Sequence, residues 1–220
     1  MSGPTLAVSA SGERFSIALR GSDAALLGHV DAEARTLSTD LFTVIDGLLQ
    51  PAGLVAADLG ELRVDRGPGS YTGLRVALTF ARVLAEQAGL PVLHATSIEL
   101  MAIAAWRSGD VDAKRPVRVI LDARRERFHT ARVELHAACA NLATPPQALA
   151  RDALATLIRP DEVLLAPGSL APTLSELGPV VPLPPYGALE LFDPWLAARS
   201  AEPGDLEPLY LMGPYTEPAP

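Results

Sequence analysis

The sequence predicts an α/β protein made of two similar halves. Short strand patterns near the N-terminus are followed by a regular alternation of helix and strand patterns. A polar, glycine-containing segment at 107–116 interrupts this order, and a second run of hairpin, helix and strand patterns follows it. We therefore predict two domains, residues 1–108 and 109–220, each with a β-sheet flanked by helices.

Local signals place the elements of the first half. Phe15, Ile17 and Leu19 alternate with polar or small residues, which is typical of a half-buried strand. Thr96 and Glu99 have the spacing of a capping box at the start of a helix. The predicted strands are 5–9, 15–20, 25–30, 62–65 and 92–94, and the predicted helices are 39–50, 72–88 and 97–106.

The second half is predicted to begin with a hairpin. Val117, Val119 and Leu121 alternate as a strand, and the chain returns after a turn at 122–125. Prolines at 145 and 146 suit the first turn of a helix. The predicted strands are 117–121, 128–135 and 163–166, and the predicted helices are 144–158, 170–177 and 188–198.

Composition indicates an ordinary globular protein. Of 220 residues, 49% are hydrophobic and 20% charged, so the chain can bury a core. The net charge of −8 argues against broad binding to nucleic acid. The single cysteine, Cys139, excludes an intramolecular disulfide and suits a reducing compartment. We find no signal-peptide pattern and no membrane-span pattern, and we expect a soluble, cytoplasmic protein without membrane contact.

A glycine-rich stretch at 65–75 lies between a strand pattern and a long helix pattern. It could cradle a phosphate with backbone N–H groups at the start of the helix. It could equally be a tight corner between strand and helix, since glycine allows close backbone approach. The spacing matches neither the Walker motif nor the dinucleotide-binding motif, which favours the corner. The loop consists of Gly67, Pro68, Gly69, Ser70, Tyr71, Thr72 and Gly73.

The helix that follows has an unusually wide apolar arc. Its polar stripe is narrow, and two apolar sides flank it, which predicts burial on both sides. We expect a large-residue side in the domain core and an alanine-rich side that lets a second helix come close; burial within its own fold alone is an open alternative. The stripe is Arg75, Thr79, Arg82 and Glu86, the large side Val76, Phe80 and Val83, and the alanine-rich side Leu74, Ala77, Leu78, Ala81, Ala85 and Ala88.

No catalytic constellation is visible in the sequence. The histidines at 29, 94, 129 and 136 have no metal-ligand spacing, and Cys139 has no nearby basic motif. We predict no catalytic residue, no metal and no cofactor. One basic concentration could face nucleic acid, but acidic residues dilute it, and a solvated surface is favoured. It comprises Lys114, Arg115, Arg118, Arg124, Arg125, Arg127 and Arg132.

The glycine-rich stretch resembles the signature of the TsaB (YeaZ) family. Members of this family are accessory subunits of the bacterial machinery that makes threonylcarbamoyladenosine in tRNA. Three further segments resemble family motifs in order and spacing: the helix start at 96–102, the Asp-Ala-Arg hairpin at 121–125, and the Pro-x-Tyr-Leu tail at 206–211.

This resemblance implies an actin/Hsp70/sugar-kinase-like (ASKHA) fold of two related α/β domains. It implies a non-catalytic subunit that binds TsaD, its catalytic paralogue, through the helices at 39–50 and 72–88, which the glycine-rich loop positions. TsaE would join through the complex, tRNA contact would be indirect or weak, and the chain would form a homodimer without TsaD. The predicted interface is Leu41, Ile45, Leu48, Leu74, Arg75, Leu78, Ala81 and Arg82.

Some residues depart from the family pattern. Ser9-Ala10-Ser11 stands where the family has Asp-Thr-Ser, and Asp65 stands where a small residue is usual. A serine lacks the anionic oxygen that Mg²⁺ prefers, which disfavours ATP hydrolysis. Two alternatives stay open: a small-molecule phosphotransferase or hydrolase of the same fold that uses the glycine-rich loop, and a diverged homodimeric scaffold.

Overall fold

The computed structural model describes residues 3–136 and 139–212. The helices are α1 (Leu37–Leu49), α2 (Tyr71–Ala88), α3 (Ser97–Arg107), α4 (Arg151–Leu157) and α5 (Ala171–Leu174). The strands are β1 (Thr5–Ser9), β2 (Arg14–Arg20), β3 (Leu26–Glu33), β4 (Glu61–Asp65), β5 (Val92–Ala95), β6 (Val117–Asp122), β7 (Arg127–His136), β8 (Cys139–Leu142), β9 (Gln147–Ala150), β10 (Val163–Ala166), β11 (Val180–Pro182) and β12 (Arg199–Ala201). The strands form two mixed sheets flanked by helices, which confirms the predicted α/β class.

The first sheet has the strand order β12-β5-β4-β1-β2-β3. Strand β1 is antiparallel to β2 and parallel to β4. Val8 pairs with Val64, so the ends of β1 and β4, at Ser9 and Asp65, lie side by side. Strand β12 comes from the C-terminal part of the chain and pairs with β5. The first sheet thus includes residues from beyond 108, while the division into two domains at that point stays a prediction.

The second sheet has the order β11-β10-β6-β7-β8, and β9 also pairs with β7. The predicted helix over 144–158 is wrong in its first part, because 147–150 forms β9 along the edge of β7 and α4 begins only at Arg151. This strand arises from a pairing with residues 127–130, which local sequence signals do not reveal.

The predicted helix over 188–198 is also wrong. Only a single 3₁₀ turn forms there, at Glu190–Phe192, and Asp193 after it is extended, with ψ 130°. Asp193 precedes Pro194, and the ring of a proline disfavours helical geometry in the residue before it. The proline therefore ends the helix pattern that the apolar residues suggest.

Helices α1 and α2 lie on one face of the first sheet, where they share a core with β1, β2 and β4. Helix α3 is different, because every residue from Ser97 to Ala105 is buried. It packs on β6, β7 and β8 and shares a second core with residues of both sheets. Helix α3 is therefore the central layer between the sheets, while α1 and α2 have an outer face.

The second half contains a buried ion pair between Arg118 and Glu162. The guanidinium of Arg118, 1% exposed, donates two hydrogen bonds to the carboxylate, with Nη2 2.8 Å from Oε1. Arg132 lies across the strand pair from Arg118, with its Nε 3.6 Å from the same carboxylate. Two members of the basic concentration thus lie inside the second half and balance a buried acid.

We expect Glu162→Ala to destabilise the protein by about 3–5 kcal/mol, because it leaves the Arg118 guanidinium buried without a counter-charge. The control is Glu176→Ala, which removes the exposed pair with Arg151 and should cost at most about 1 kcal/mol. Urea denaturation of the three proteins measures both changes in the free energy of unfolding. Equal losses in the two variants would contradict the expectation.

Candidate partner-binding site

The glycine-rich loop joins the end of β4 to the start of α2. Ser70 caps α2, since its Oγ accepts a hydrogen bond from the Gly73 N–H at 3.3 Å. The carbonyl of Gly67 accepts from the Ser97 N–H at 3.0 Å, and the Ser97 hydroxyl donates to the Pro68 carbonyl. The loop is therefore fixed at one end to α2 and along its length to the first turn of α3.

The loop packs backbone to backbone against the turn between β1 and β2. A Cβ at Gly69 would lie 2.2 Å from the Ser11 carbonyl oxygen, and one at Gly73 would lie 2.3 Å from the Ala10 carbonyl oxygen. The Ser70 N–H also donates to the Ser11 carbonyl at 2.7 Å. The chain itself thus fills the concave side of the loop, and the glycines are needed for this close contact. The geometry fits a corner between strand and helix better than a phosphate cradle.

Asp65 is the buried centre of this region. One carboxylate oxygen accepts hydrogen bonds from the hydroxyls of Ser9, at 2.9 Å, and Ser11. The other accepts from the Gly67 N–H at 2.8 Å. Burial raises the pKa of Asp65, and the three hydrogen bonds oppose that rise. The sequence marks Asp65 only as a departure from the family pattern, because its partners at 9 and 11 are more than 50 positions away.

A tyrosine from the second half joins this cluster. The Tyr186 hydroxyl lies 3.1 Å from the Ser11 Oγ, and burial raises the pKa of Tyr186. Nearby, the Ala188 N–H donates to the Ser16 hydroxyl at 2.9 Å. The turn that supports the glycine-rich loop is therefore also tied to the segment around 186–188.

The six apolar residues of the predicted interface lie in the domain's own core. Each is at least nine-tenths buried in the single chain. All of them except Leu74 belong to the core that α1 and α2 share with the first sheet. The alanine-rich side of α2 thus faces the sheet as far as Ala85. Of the large residues, Val83 is exposed, while Val76 and Phe80 are half-buried against the same core, so the two sides do not divide as expected. The six predicted interface residues, which the chain itself covers, are Leu41, Ile45, Leu48, Leu74, Leu78 and Ala81.

The outer face of α1 and α2 carries large apolar side chains. Phe42 is 67% exposed and Val83 52% exposed. The rings of Phe42 and Phe80 meet edge to face with their centroids 5.6 Å apart, so the two helices share one aromatic contact on the outside. The sequence places Phe42 on the broad apolar face of its helix, and nothing in its local pattern marks it as exposed. We call Phe42, Val76, Phe80 and Val83 the outer band.

The two predicted arginines lie beside the outer band. Arg75 donates to the Tyr71 hydroxyl at 2.6 Å, and its guanidinium lies over the Tyr71 ring at 5.3 Å. Arg82 forms an exposed pair with Glu86 at 3.1 Å. Tyr210, from the C-terminal tail, packs on Tyr71 with 5.6 Å between ring centroids. Both arginines thus keep the exposed, flanking position that the helical wheel gives them.

The structure separates the basic residues that the sequence groups together. Arg118 and Arg132 are buried or nearly so, and Arg115 donates to the carbonyls of Asp161 and Glu162. Arg124 and Arg125 lie in the turn between β6 and β7, and Arg127 begins β7. These three arginines are exposed, at the end of the hairpin away from Arg118. The described residues of this group thus form no single continuous basic face, which weakens the tRNA interpretation.

In the described part of the chain, no group of three or more histidine, cysteine, aspartate or glutamate side chains could hold a metal ion. Among the four histidines, His94 has a pKa that is clearly shifted. Partial burial, with Arg66 and Arg199 nearby, lowers its pKa to about 4. Within the same described residues, no helix is long and apolar enough to cross a membrane.

We expect Gly73→Ala to destabilise the protein by roughly 1–3 kcal/mol, because the new methyl group would overlap the Ala10 carbonyl. Gly47→Ala is the matched control, since Gly47 is exposed in α1 and a Cβ there would meet nothing within 4 Å. That substitution should stabilise by about 0.5–1 kcal/mol. Urea denaturation gives the sign of each change, and a stable Gly73→Ala variant would mean that the close contact is dispensable.

Comparison with known proteins agrees with this architecture. A family model described as TsaD, tRNA N6-adenosine threonylcarbamoyltransferase, matches residues 31–166. The tRNA threonylcarbamoyladenosine biosynthesis proteins TsaB of Escherichia coli K12 and Haemophilus influenzae are 31% and 38% identical over 102 and 104 residues. Each match covers 46% of this chain, and they cover 44% and 42% of the relatives. The match thus spans a little under half the length of these curated relatives.

Solved structures extend the likeness in fold to nearly the whole chain. YeaZ from Pseudomonas aeruginosa superposes with a TM-score of 0.78 at 22% identity, covering 95% of this chain and 100% of that one. A second Pseudomonas aeruginosa structure, with similarity to peptidase YEAZ, gives 0.80 at 22% identity, covering 96% and 100%. Because the family model matches more than half of the residues, the chain belongs to the TsaD family that it describes, and the resemblance to TsaB (YeaZ) proteins is confirmed.

Proposed function

We propose that this chain is a non-catalytic subunit that binds TsaD, a catalytic paralogue, through the outer face of α1 and α2, and so serves threonylcarbamoyladenosine formation in tRNA. The observation that carries the proposal is the outer band. Phe42 and Val83 stand exposed on two adjacent helices, and the half-buried ring of Phe80 contacts Phe42 between them. Contiguous exposed apolar surface of this kind is typical of protein-binding sites.

The composition of this face suits a partner helix pair. Aromatic and arginine side chains are enriched among the residues that dominate binding energy, and Phe42, Phe80 and Arg75 supply them. Burial of Phe42 and Val83 against a partner would remove apolar area from water, while Arg75 and Arg82 at the edge would set orientation. The residues that the sequence proposed for the apolar contact support α1 and α2 from inside instead.

A partner-binding role also fits the glycine-rich loop. A phosphotransferase that used this loop would need backbone N–H groups facing an open cavity. Here the Ser70 N–H is bound to Ser11, the Gly67 N–H to Asp65, and Gly69 and Gly73 contact the backbone of 10–11. A small cavity lies beside the loop at Thr72, but these two N–H groups are not available to it, which counts against the phosphotransferase alternative.

The same face accounts for the other proposed associations. A second copy could cover the outer band in the absence of TsaD, because two-fold pairing places one patch against itself. TsaE would then act through the complex with TsaD, and contact with tRNA would be indirect or weak. A homodimeric scaffold without TsaD binding is the alternative that uses the same surface.

We expect Phe42→Glu to weaken binding of TsaD from the same organism at least about tenfold, because a charge would be buried against the partner. Ala155→Glu, at an exposed position of α4 in the second half, adds the same charge and should bind normally. Titration calorimetry measures the affinities, and light scattering after size-exclusion chromatography measures self-association. Binding of Phe42→Glu with unchanged affinity would overturn the proposed face, whereas a dimer that never binds TsaD would favour the scaffold.

Ala81→Glu is expected to unfold the first half rather than to act at the interface. Ala81 is 1% exposed and lies between α2 and the sheet, where a carboxylate would have no room and no partner. Circular dichroism separates it from Phe42→Glu, which should keep native helix content. A folded Ala81→Glu variant that loses only TsaD binding would instead support the interface that was predicted from the sequence.

A further inference from the structure

We propose that Asp65 is a positioning residue that fixes the first turn of α2 and thereby the outer band. This inference rests on the proposed function for its link to TsaD, but its structural part concerns the chain alone. It is carried by the contacts that Asp65 makes to the β1–β2 turn and to the glycine-rich loop.

Asp65 joins two segments that are distant in sequence. Because β1 and β4 are parallel neighbours in register, the carboxylate stands beside the end of β1 and receives the hydroxyls of Ser9 and Ser11. Its other oxygen receives the Gly67 N–H, at the first bend of the loop. One side chain thus sets the distance between the β1–β2 turn and the start of the loop.

The far end of the loop is held by the same turn. The Ser11 carbonyl accepts from the Ser70 N–H, the residue that caps α2, and Gly73 packs on the Ala10 carbonyl. Asp65 holds Ser11 through its hydroxyl, and Ser11 holds Ser70 through its carbonyl. The position of the first turn of α2 therefore depends on the position of the β1–β2 turn, which Asp65 sets.

A small change in the orientation of the first turn of α2 becomes a large displacement at the outer band. Phe80 and Val83 lie nine and twelve positions after Tyr71 (80 − 71 and 83 − 71), which is about 14–18 Å along the helix. A tilt of about 10° at the first turn would move them by roughly 2–3 Å over that length. Such a shift is enough to misplace side chains that must enter a close-packed interface.

The chemistry at Asp65 favours a geometric role over an ionic one. All three groups that donate to its carboxylate are electrically neutral, and its side chain is 1% exposed. An asparagine of the same shape can still accept from the Gly67 N–H and can donate to a serine hydroxyl, which can act as donor or acceptor. An alanine can do neither and would leave the Gly67 N–H buried without a partner.

The test compares Asp65→Ala and Asp65→Asn with Leu154→Ala, which opens a cavity in the core of the second half. We measure thermal unfolding, TsaD affinity by calorimetry, and amide hydrogen exchange at 70–75. We expect Asp65→Ala to bind TsaD at least about tenfold more weakly and to exchange faster at 70–75. Asp65→Asn should restore both within about threefold. Leu154→Ala should lose stability yet bind and exchange at 70–75 like wild type.

Each outcome supports or overturns the inference. Unchanged exchange at 70–75 in folded Asp65→Ala, or an Asp65→Asn variant as defective as the alanine, overturns it. If Asp65→Ala does not fold, Ser11→Ala takes its place, since it removes one hydrogen bond to Asp65 and the contact with Tyr186. Failure of wild type to bind TsaD would defeat the proposed function alone, because hydrogen exchange at 70–75 reports the positioning role without a partner.

Discussion

The backbone contact between the glycine-rich loop and the β1–β2 turn is the constraint on which the first half depends. At Gly69 and Gly73 the two segments lie so close that any side chain would collide with a carbonyl oxygen. The adjacent Asp65 carboxylate holds the turn in place with hydrogen bonds from two serines. Because a buried carboxylate without hydrogen bonds would cost several kcal/mol, the three donors around it are as necessary to the fold as the glycines are. This contact fixes where α2 begins.

The side of α2 that faces the sheet follows from the same closeness. Alanines at 77, 81 and 85 let the helix axis come near the strands, and larger residues at these positions would push it away. The bulky side chain of Val83 is then exposed, and that of Phe80 is half-buried. An alanine-rich helix side indicates only that something passes close to it, and here that neighbour is the domain's own sheet. Helical periodicity correctly predicts burial of a wide arc, but it cannot say which neighbour covers each side.

Features encoded within a few residues could be predicted from the sequence. The capping box at Thr96 and Glu99 forms as predicted, and α2 ends at Ala88 as predicted. Features that depend on pairing between distant parts of the chain could not be predicted from the sequence. Strands β9 and β12 exist only because β7 and β5 offer edges, and the Asp65 cluster joins positions 9, 11, 65 and 186. Pro194 is an exception. A proline disfavours helical geometry in the residue before it, and this local rule was enough to predict that no long helix forms there. The sequence prediction gave more weight to the apolar residues instead.

The position of the Asp65 carboxylate connects the departures from the family pattern with the architecture. The end of β1 carries serines where the family pattern has an aspartate, and an aspartate stands at the end of the adjacent strand β4. A carboxylate at β4 is enclosed by the turn and the loop, with its oxygens occupied by neutral donors from this chain. The site has the chemistry of a structural joint, which suits the proposed role of holding two helices at a fixed angle for a partner.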